Sequence, residues 1–316
     1  MQQTISENFN INLEDTFSVS CLLGTSKVKS LLNIKNSQVT KALNSLVGTS
    51  ETIRLLNINI KTFHSKNSTL KWCEWLAGLI DGDGCFQLSK KGYASLEITM
   101  DIRDEHALQI IKNVYGGSIK LRSGCKALRY RLHHKAGIIK LVNGVNGLIR
   151  NPVRILQLGK VCEKYGIPLI DPKPLIYYNG WFAGFFDTDG SIYLNDKSGQ
   201  IFITASQKNR FILEALVELY GGTIYPMIKQ EAFKWTCFKK REVLSLVNDY
   251  FKVNPCRSEK ITRLSMCNRF YELRGLHAHT ALPNSDLGKA WKHFLVKWNQ
   301  LVDKNLVIHS SLNREY

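Results

Sequence analysis

Trp75-Leu76-Ala77-Gly78-Leu79-Ile80-Asp81-Gly82-Asp83-Gly84-Cys85-Phe86 returns about one hundred residues later as Trp181-Phe182-Ala183-Gly184-Phe185-Phe186-Asp187-Thr188-Asp189-Gly190-Ser191-Ile192. Both copies carry Asp-x-Asp-Gly at the same place. The self-similarity runs past this segment, as a duplicated unit requires. Tyr115-Gly116-Gly117-Ser118-Ile119 reappears as Tyr220-Gly221-Gly222-Thr223-Ile224, and Leu141-Val142-Asn143 as Leu246-Val247-Asn248. These two matches are offset by 105 positions and the motif by 106, so one insertion or deletion separates them.

Read as a helix, each copy sets small residues four apart on one face: Gly78 and Gly82 in the first, Gly184 and Thr188 in the second. Glycine inside a helix costs about 1 kcal/mol relative to alanine. Close backbone packing of the two copies against each other supplies the compensation, as small-residue seams do elsewhere. Such packing brings Asp83 and Asp189 together at helix C-termini, where the macrodipole already disfavours negative charge. Two carboxylates held together against both effects are a candidate site for a divalent cation, Mg²⁺ or a relative such as Mn²⁺. An EF-hand loop starting at Asp81 or Asp187 is excluded. Its sixth-position glycine would be Phe86 or Ile192, and its twelfth-position glutamate Gly92 or Ser198.

The chain has 316 residues, with 43 basic and 26 acidic side chains for a net charge of +17. That excess predicts salt-sensitive attraction to a polyanion. The eight cysteines form no C-x-x-C pair, which argues against a zinc ribbon or a disulfide framework and for a reducing compartment. No apolar run is long enough to span a bilayer. The first twenty residues contain Glu7, Glu14 and Asp15 but no Lys or Arg, unlike a secretory signal or transit peptide.

Five segments are expected: an N-terminal extension over 1–70 of weak structure, a first repeat over 71–166, a linker over 167–177, a second repeat over 178–255 and a helical segment over 256–316. Within each repeat the pattern predicts a motif helix, a hairpin, a helix stopped by Tyr-Gly-Gly, a second hairpin and a last helix. Beyond these, Lys260–Tyr271 and Ala290–Val302 are predicted helices.

The chain resembles the single-chain LAGLIDADG homing endonucleases of the organellar, group I intron-encoded type. Leu76–Gly84 departs from the namesake string at one position, Gly82, and Phe182–Gly190 is a looser copy. The resemblance implies an α+β fold of tandem pseudo-symmetric αββαββα halves, with two antiparallel β-sheets forming a DNA-binding saddle. It implies Asp83 and Asp189 as metal ligands, with carbonyls of Gly84 and Gly190 close by. Asp81 and Asp187 would hydrogen-bond backbone at the helix interface. A polar residue after the second strand is met by Gln207, whose partner at an offset of 105 is Ile102. Asp101 or Arg103 would substitute there. The catalytic basic residue after the fourth strand falls on Lys239 or Lys240 in the second half and on His134 or Lys135 in the first; Lys240 and Lys135 are the expected pair.

On such a saddle, strand alternation points Gln87, Ser89 and Lys91 to DNA in the first half, with Glu97 and Thr99. In the second half it selects Tyr193, Asn195, Lys197, Gln200 and Thr204. The expected function is a site-specific, metal-dependent double-strand cut in a long duplex DNA site, promoting intron mobility. The alternatives are an RNA maturase with intron RNA as partner, or a DNA-binding relative without cleavage. A monomer is expected, because the duplication supplies internally what a single-motif relative obtains by dimerising. The expected location is an organelle, mitochondrion ahead of chloroplast, in which the protein is encoded rather than imported.

Overall fold

Strand alternation decides the layering of this chain. In a computed structural model that describes residues 68–195 and 198–312, with side chains up to residue 300, the strand Ala94–Asp101 buries every second side chain. Ala94, Leu96, Ile98 and Met100 face the core, while Ser95, Glu97, Thr99 and Asp101 stay half-exposed on the other side. The expectations for residues 1–67 and for Lys197 lie outside the described residues.

The first half runs α1 (68–83), β1 (Gly84–Leu88), β2 (Ala94–Asp101), α2 (Glu105–Tyr115), β3 (Ser118–Leu121), β4 (Ala127–Leu132) and α3 (Lys135–Val145). The second repeats the order with α5 (Trp181–Asp189), β5 (Gly190–Asn195), β6 (Gln200–Gln207), α6 (Arg210–Tyr220), β7 (Thr223–Met227), β8 (Ala232–Cys237) and α7 (Lys240–Ser245). Each half forms one antiparallel four-stranded sheet, ordered β1-β2-β4-β3 and β5-β6-β8-β7. Helices α2 and α3 cover one face of the first sheet, and α6 and α7 one face of the second. The Tyr-Gly-Gly corners end α2 and α6 with φ of 76° at Gly116 and 77° at Gly221, a conformation that favours glycine.

The pattern missed one element. The helix α4 (Pro152–Tyr165) follows α3, starts with Pro152 after an Asn151 cap, and lies along β1. Its counterpart α8 (Lys260–Gly275) lies along β5, and α9 (Asp286–Leu312) packs on α8.

Helices α1 and α5 cross backbone to backbone. A Cβ on Gly78 would overlap the carbonyl oxygen of Trp181, and one on Gly184 the carbonyl oxygen of Trp75. A Cβ on Gly82 would overlap the hydroxyl of Thr188. The crossing is tied reciprocally between the halves: Trp75 Nε1 donates to Asp187 Oδ2 at 2.8 Å, and Trp181 Nε1 donates to Asp81 Oδ2 at 2.7 Å. Both aspartates are fully enclosed and also accept backbone N–H groups, Arg150 and Asn151 on Asp81, Arg257 and Ser258 on Asp187. Each carboxylate therefore joins its own motif helix to the other half's tryptophan and to the start of α4 or the turn before α8.

Gly184→Ala is expected to destabilise the chain by at least about 1–3 kcal/mol, the usual cost of overpacking a close contact. Gly275→Ala, at a helix end where an added Cβ meets nothing within 4 Å, serves as the control. Urea midpoints read the difference; equal midpoints would remove Gly184 from the crossing.

Candidate functional site

The helix crossing delivers Asp83 and Asp189 to one place at the ends of α1 and α5. A Cβ on Gly82 would lie 3.0 Å from Asp189 Oδ2, so the second half's carboxylate reaches the backbone of the first half's motif. Asp83 is exposed and Asp189 half-buried, so the pair opens to solvent. Surrounding protein, and then the negative charge of Asp83, pushes Asp189 up to about 7. Asp83 is also raised, by the same loss of water, while Lys260 and Arg154 oppose the rise. Two neighbouring acids that both hold their protons more tightly than in water, one of them through the charge of the other, are a candidate site for a cation. No cluster of three or more His, Cys, Asp or Glu with metal-binding geometry occurs among the described residues. Two carboxylates fit a hard cation that takes its remaining oxygens from water and substrate phosphate, as Mg²⁺ does.

Gly84 and Gly190 turn the chain from helix to strand. A Cβ on Gly84 would lie 2.6 Å from Ile80 Cα, and one on Gly190 2.4 Å from the Phe186 carbonyl oxygen. Steric crowding therefore requires both glycines at these corners.

Gln207 Nε2 donates to Asp189 Oδ2 at 2.6 Å. The sheet register corrects its expected partner in the first half. Gly84 pairs with Ile98 and Gly190 with Ala205, an offset of 107 in these strands. Gln207 thus corresponds to Met100, a buried apolar residue. Ile102 has already left the strand, and Asp101 is engaged by Arg103 through Nε at 2.9 Å and Nη2 at 3.1 Å. Asp189 has an amide partner that Asp83 lacks.

Lys135 and Lys240 are not brought to the acids. Lys135 Nζ lies 6.0 Å from the Tyr165 ring centre and Lys240 Nζ 5.7 Å from that of Tyr271. Those tyrosines sit eleven residues, about 16 Å of helix, beyond Arg154 on α4 and Lys260 on α8. The strand geometry agrees: β4 runs away from the Gly84 end of the sheet, Ala127 pairing with Asp101 and Leu132 with Leu96, which is level with Phe86. The cations that act on both carboxylates are Arg154 and Lys260. Lys260 Nζ donates to the carbonyls of Phe186, Asp187 and Thr188 at 2.8–3.0 Å, capping the C-terminus of α5. Arg154 Nη2 donates to Gly82 O at 3.2 Å, the corresponding position of α1, and its Nε is buried without a partner. Neither was selected from the sequence, because a lone cation in an amphipathic helix carries no pattern; only the unsatisfied carbonyls at a helix end point to one.

The first sheet's uncovered face lines a groove of about 1110 Å³ that includes Gln87, Ser89, Lys91, Lys120, Arg129 and Arg131. Glu97 lies on the same face, 2.9 Å from Arg131 Nε and 3.8 Å from Arg129 Nε. Thr99 is half-exposed beside it, and Tyr193, Asn195 and Gln200 lie on the matching face of the second sheet. Thr204 is the exception. Alternation gives it the right face, but it is 1% exposed. Lys234, paired with Ser206, extends its Nζ to 5.2 Å above the Tyr193 ring, so its stem crosses the row holding Thr204. Thr204 does not reach the groove.

A family model described as LAGLIDADG endonuclease matches residues 76–158 and 182–270. The chain belongs to the LAGLIDADG endonuclease family. Among curated relatives, the intron-encoded RNA maturase bI4 of Saccharomyces cerevisiae is 41% identical over 317 residues, covering 89% of this chain and 50% of the relative. A probable intron-encoded endonuclease aI2 of Debaryomyces hansenii is 39% identical, over 72% of this chain and 37% of its own. This LAGLIDADG chain thus spans half or less of those two relatives. The intron-encoded DNA endonuclease ai2a of Dictyostelium discoideum is 35% identical, over 76% of this chain and 79% of its own. The crystal structure of the LAGLIDADG meganuclease I-AabMI bound to uncleaved DNA shares the fold with a TM-score of 0.55, at 16% identity over 72% of this chain and 98% of that one.

The raised Asp189 sets a pH dependence. Its folded value, about 7, exceeds the unfolded value, 3.8. Between those values the native chain holds a proton that the unfolded chain has released. Stability without divalent ions should therefore fall as pH rises from about 4 to about 7 and level off above. Asp189→Asn should flatten this part of the profile and melt at least about 2 °C above the parent at pH 7.5 in EDTA. Parallel melting curves for the two chains across that range would contradict the assignment.

Proposed function

We propose that the chain is a site-specific DNA endonuclease that makes a double-strand cut in a long duplex site. The observation that carries this reading is the meeting of Asp83 and Asp189 where β1 and β5 begin, in two sheets that each leave one face uncovered, with Arg154 and Lys260 acting on both. Asp83 and Asp189 are the residues that would hold Mg²⁺ or Mn²⁺, with Gly84 and Gly190 carbonyls adjacent. A bound divalent ion there supplies Lewis-acid stabilisation of phosphate charge and a low-pKa water.

The chain's own groups have separable roles. The net charge of +17 attracts the phosphate backbone. The Gln207 amide fixes the rotamer of Asp189. All three Lys260 donors are occupied by carbonyls, so it contributes fixed positive charge rather than a mobile proton. Arg154, held by Nη2 on the Gly82 carbonyl, likewise contributes positive charge to both acids. The duplication supports action as a monomer. The intron-encoded names of the relatives support a role in intron mobility, with expression inside the organelle that encodes the chain. Among the described residues no helix is long and apolar enough to cross a membrane.

A second reading, an intron RNA maturase, is supported by the relative that is 41% identical over 89% of this chain. Cleavage of an intronless insertion-site duplex and splicing of the intron RNA, assayed with the same preparation, separate the two.

Cleavage should require Mg²⁺ and leave 3′ overhangs. Asp83→Asn or Asp189→Asn should abolish double-strand cutting while leaving duplex binding largely intact. The two strands should be cut at unequal rates, because Gln207 has only Met100 as its counterpart. Loss of one positioned polar group costs about a hundredfold or more in a step that needs it. A supercoiled plasmid should pass through a nicked form, and Gln207→Ala should narrow the difference measured with strand-specific labels. Equal single-turnover rates would remove Gln207 from the chemistry.

A further inference from the structure

The uncovered faces of the two sheets are built from different chemistry at corresponding positions. In the second sheet Tyr193 on β5 pairs with Phe202 on β6, and Phe238 continues the row beyond β8. The Tyr193 and Phe202 rings stack at 5.3 Å and 5°, and Phe202 and Phe238 at 5.5 Å and 29°. The register aligns this row with Gln87, Ser95 and His133 in the first sheet, where an amide, a hydroxyl and an imidazole stand in place of hydrocarbon rings. The fold has no need of three rings on a face turned from its core, and all three remain partly exposed.

We infer that the row Tyr193–Phe202–Phe238 recognises thymine methyl groups in the major groove of one half of the DNA target. The inference rests on the endonuclease reading above. Phe202 is flanked by a ring on each side, and Tyr193 carries Phe202 beside it and the Lys234 ammonium 5.2 Å from its ring centre. Both faces of the central ring, Phe202, are thereby occupied, and its edge is what it presents. A row of edges is a poor platform for stacking unpaired bases, which need a free face. It is a good surface for an apolar group projecting from a base edge. In the B-form major groove that group is the C5-methyl of thymine, next to the O4 acceptor. Aromatic edges carry partial positive charge and suit O4. A cytosine in its place would press its amino donor against hydrocarbon without a partner. The other half of the target meets Arg129, Arg131 and Lys120 instead, groups suited to guanine O6 and N7. Tyr193 lies four residues, about 13 Å, from Asp189 along β5, which places the thymines about four base pairs from the acid pair.

The test selects duplexes from a random library with the full chain in EDTA, then measures binding by fluorescence anisotropy. Thymines should be enriched in one half of the selected site. Replacing them with deoxyuridine there should weaken binding about fourfold per methyl removed, the value of one buried methyl-sized group. Phe202→Ala, or Phe238→Ala if the first does not fold, should bind thymine and deoxyuridine duplexes equally. Gln87→Ala, in the corresponding row of the other sheet, should weaken binding to both duplexes alike and so keep the parent's ratio between them. Selected sites without thymine in either half, or equal binding of both duplexes by the parent, overturns the inference and leaves the endonuclease reading standing. A library from which no duplex is enriched overturns both.

Discussion

The backbone contact between α1 and α5 is the constraint on which the molecule depends. Gly78 and Gly184 admit the carbonyls of Trp181 and Trp75 into space that any side chain would occupy. Everything else follows from that approach. The tryptophans reach the opposite half's aspartate, the aspartates hold the backbone leading into α4 and α8, and those helices carry Arg154 and Lys260 to the ends of the motif helices. Widening the crossing by one methyl would act on both carboxylates at once.

The cost of this arrangement is electrostatic. Two carboxylates stand at helix C-termini; burial raises both, and the charge of Asp83 further raises Asp189, which is held at about 7. Lys260 and Arg154 offset part of this but are themselves committed to backbone carbonyls. A proton relieves the remaining imbalance, and under the proposed function a divalent cation would do the same. Acid and cation chemistry are thereby coupled at one point of the fold.

Much of the architecture was legible in the sequence because duplication leaves two readable copies. The motif pair, the Tyr-Gly-Gly corners and the alternation in β2 gave element order and the position of Asp83 and Asp189. Register was not legible. A constant offset of 105 aligned Gln207 with Ile102, whereas the loops between strands shift the pairing so that Met100 takes that place. The expectation for Lys135 and Lys240 failed for a related reason: proximity in the chain to a strand end says nothing about which end of the sheet holds the acids. Thr204 showed the limit of alternation, since a long neighbour such as Lys234 can lie over a short side chain on an uncovered face. Helix α4 carries enough polar residues to read as the end of a domain, yet the two residues leading into it, Arg150 and Asn151, supply the N–H groups that hold Asp81.

The central claim is that one helix crossing assembles one cutting centre from both halves. Anomalous scattering from Mn²⁺ in crystals of the chain with its selected duplex tests it most directly. The account predicts manganese density beside the carboxylates of Asp83 and Asp189, where the two halves meet. Density confined to one half, away from the other half's aspartate, would contradict it.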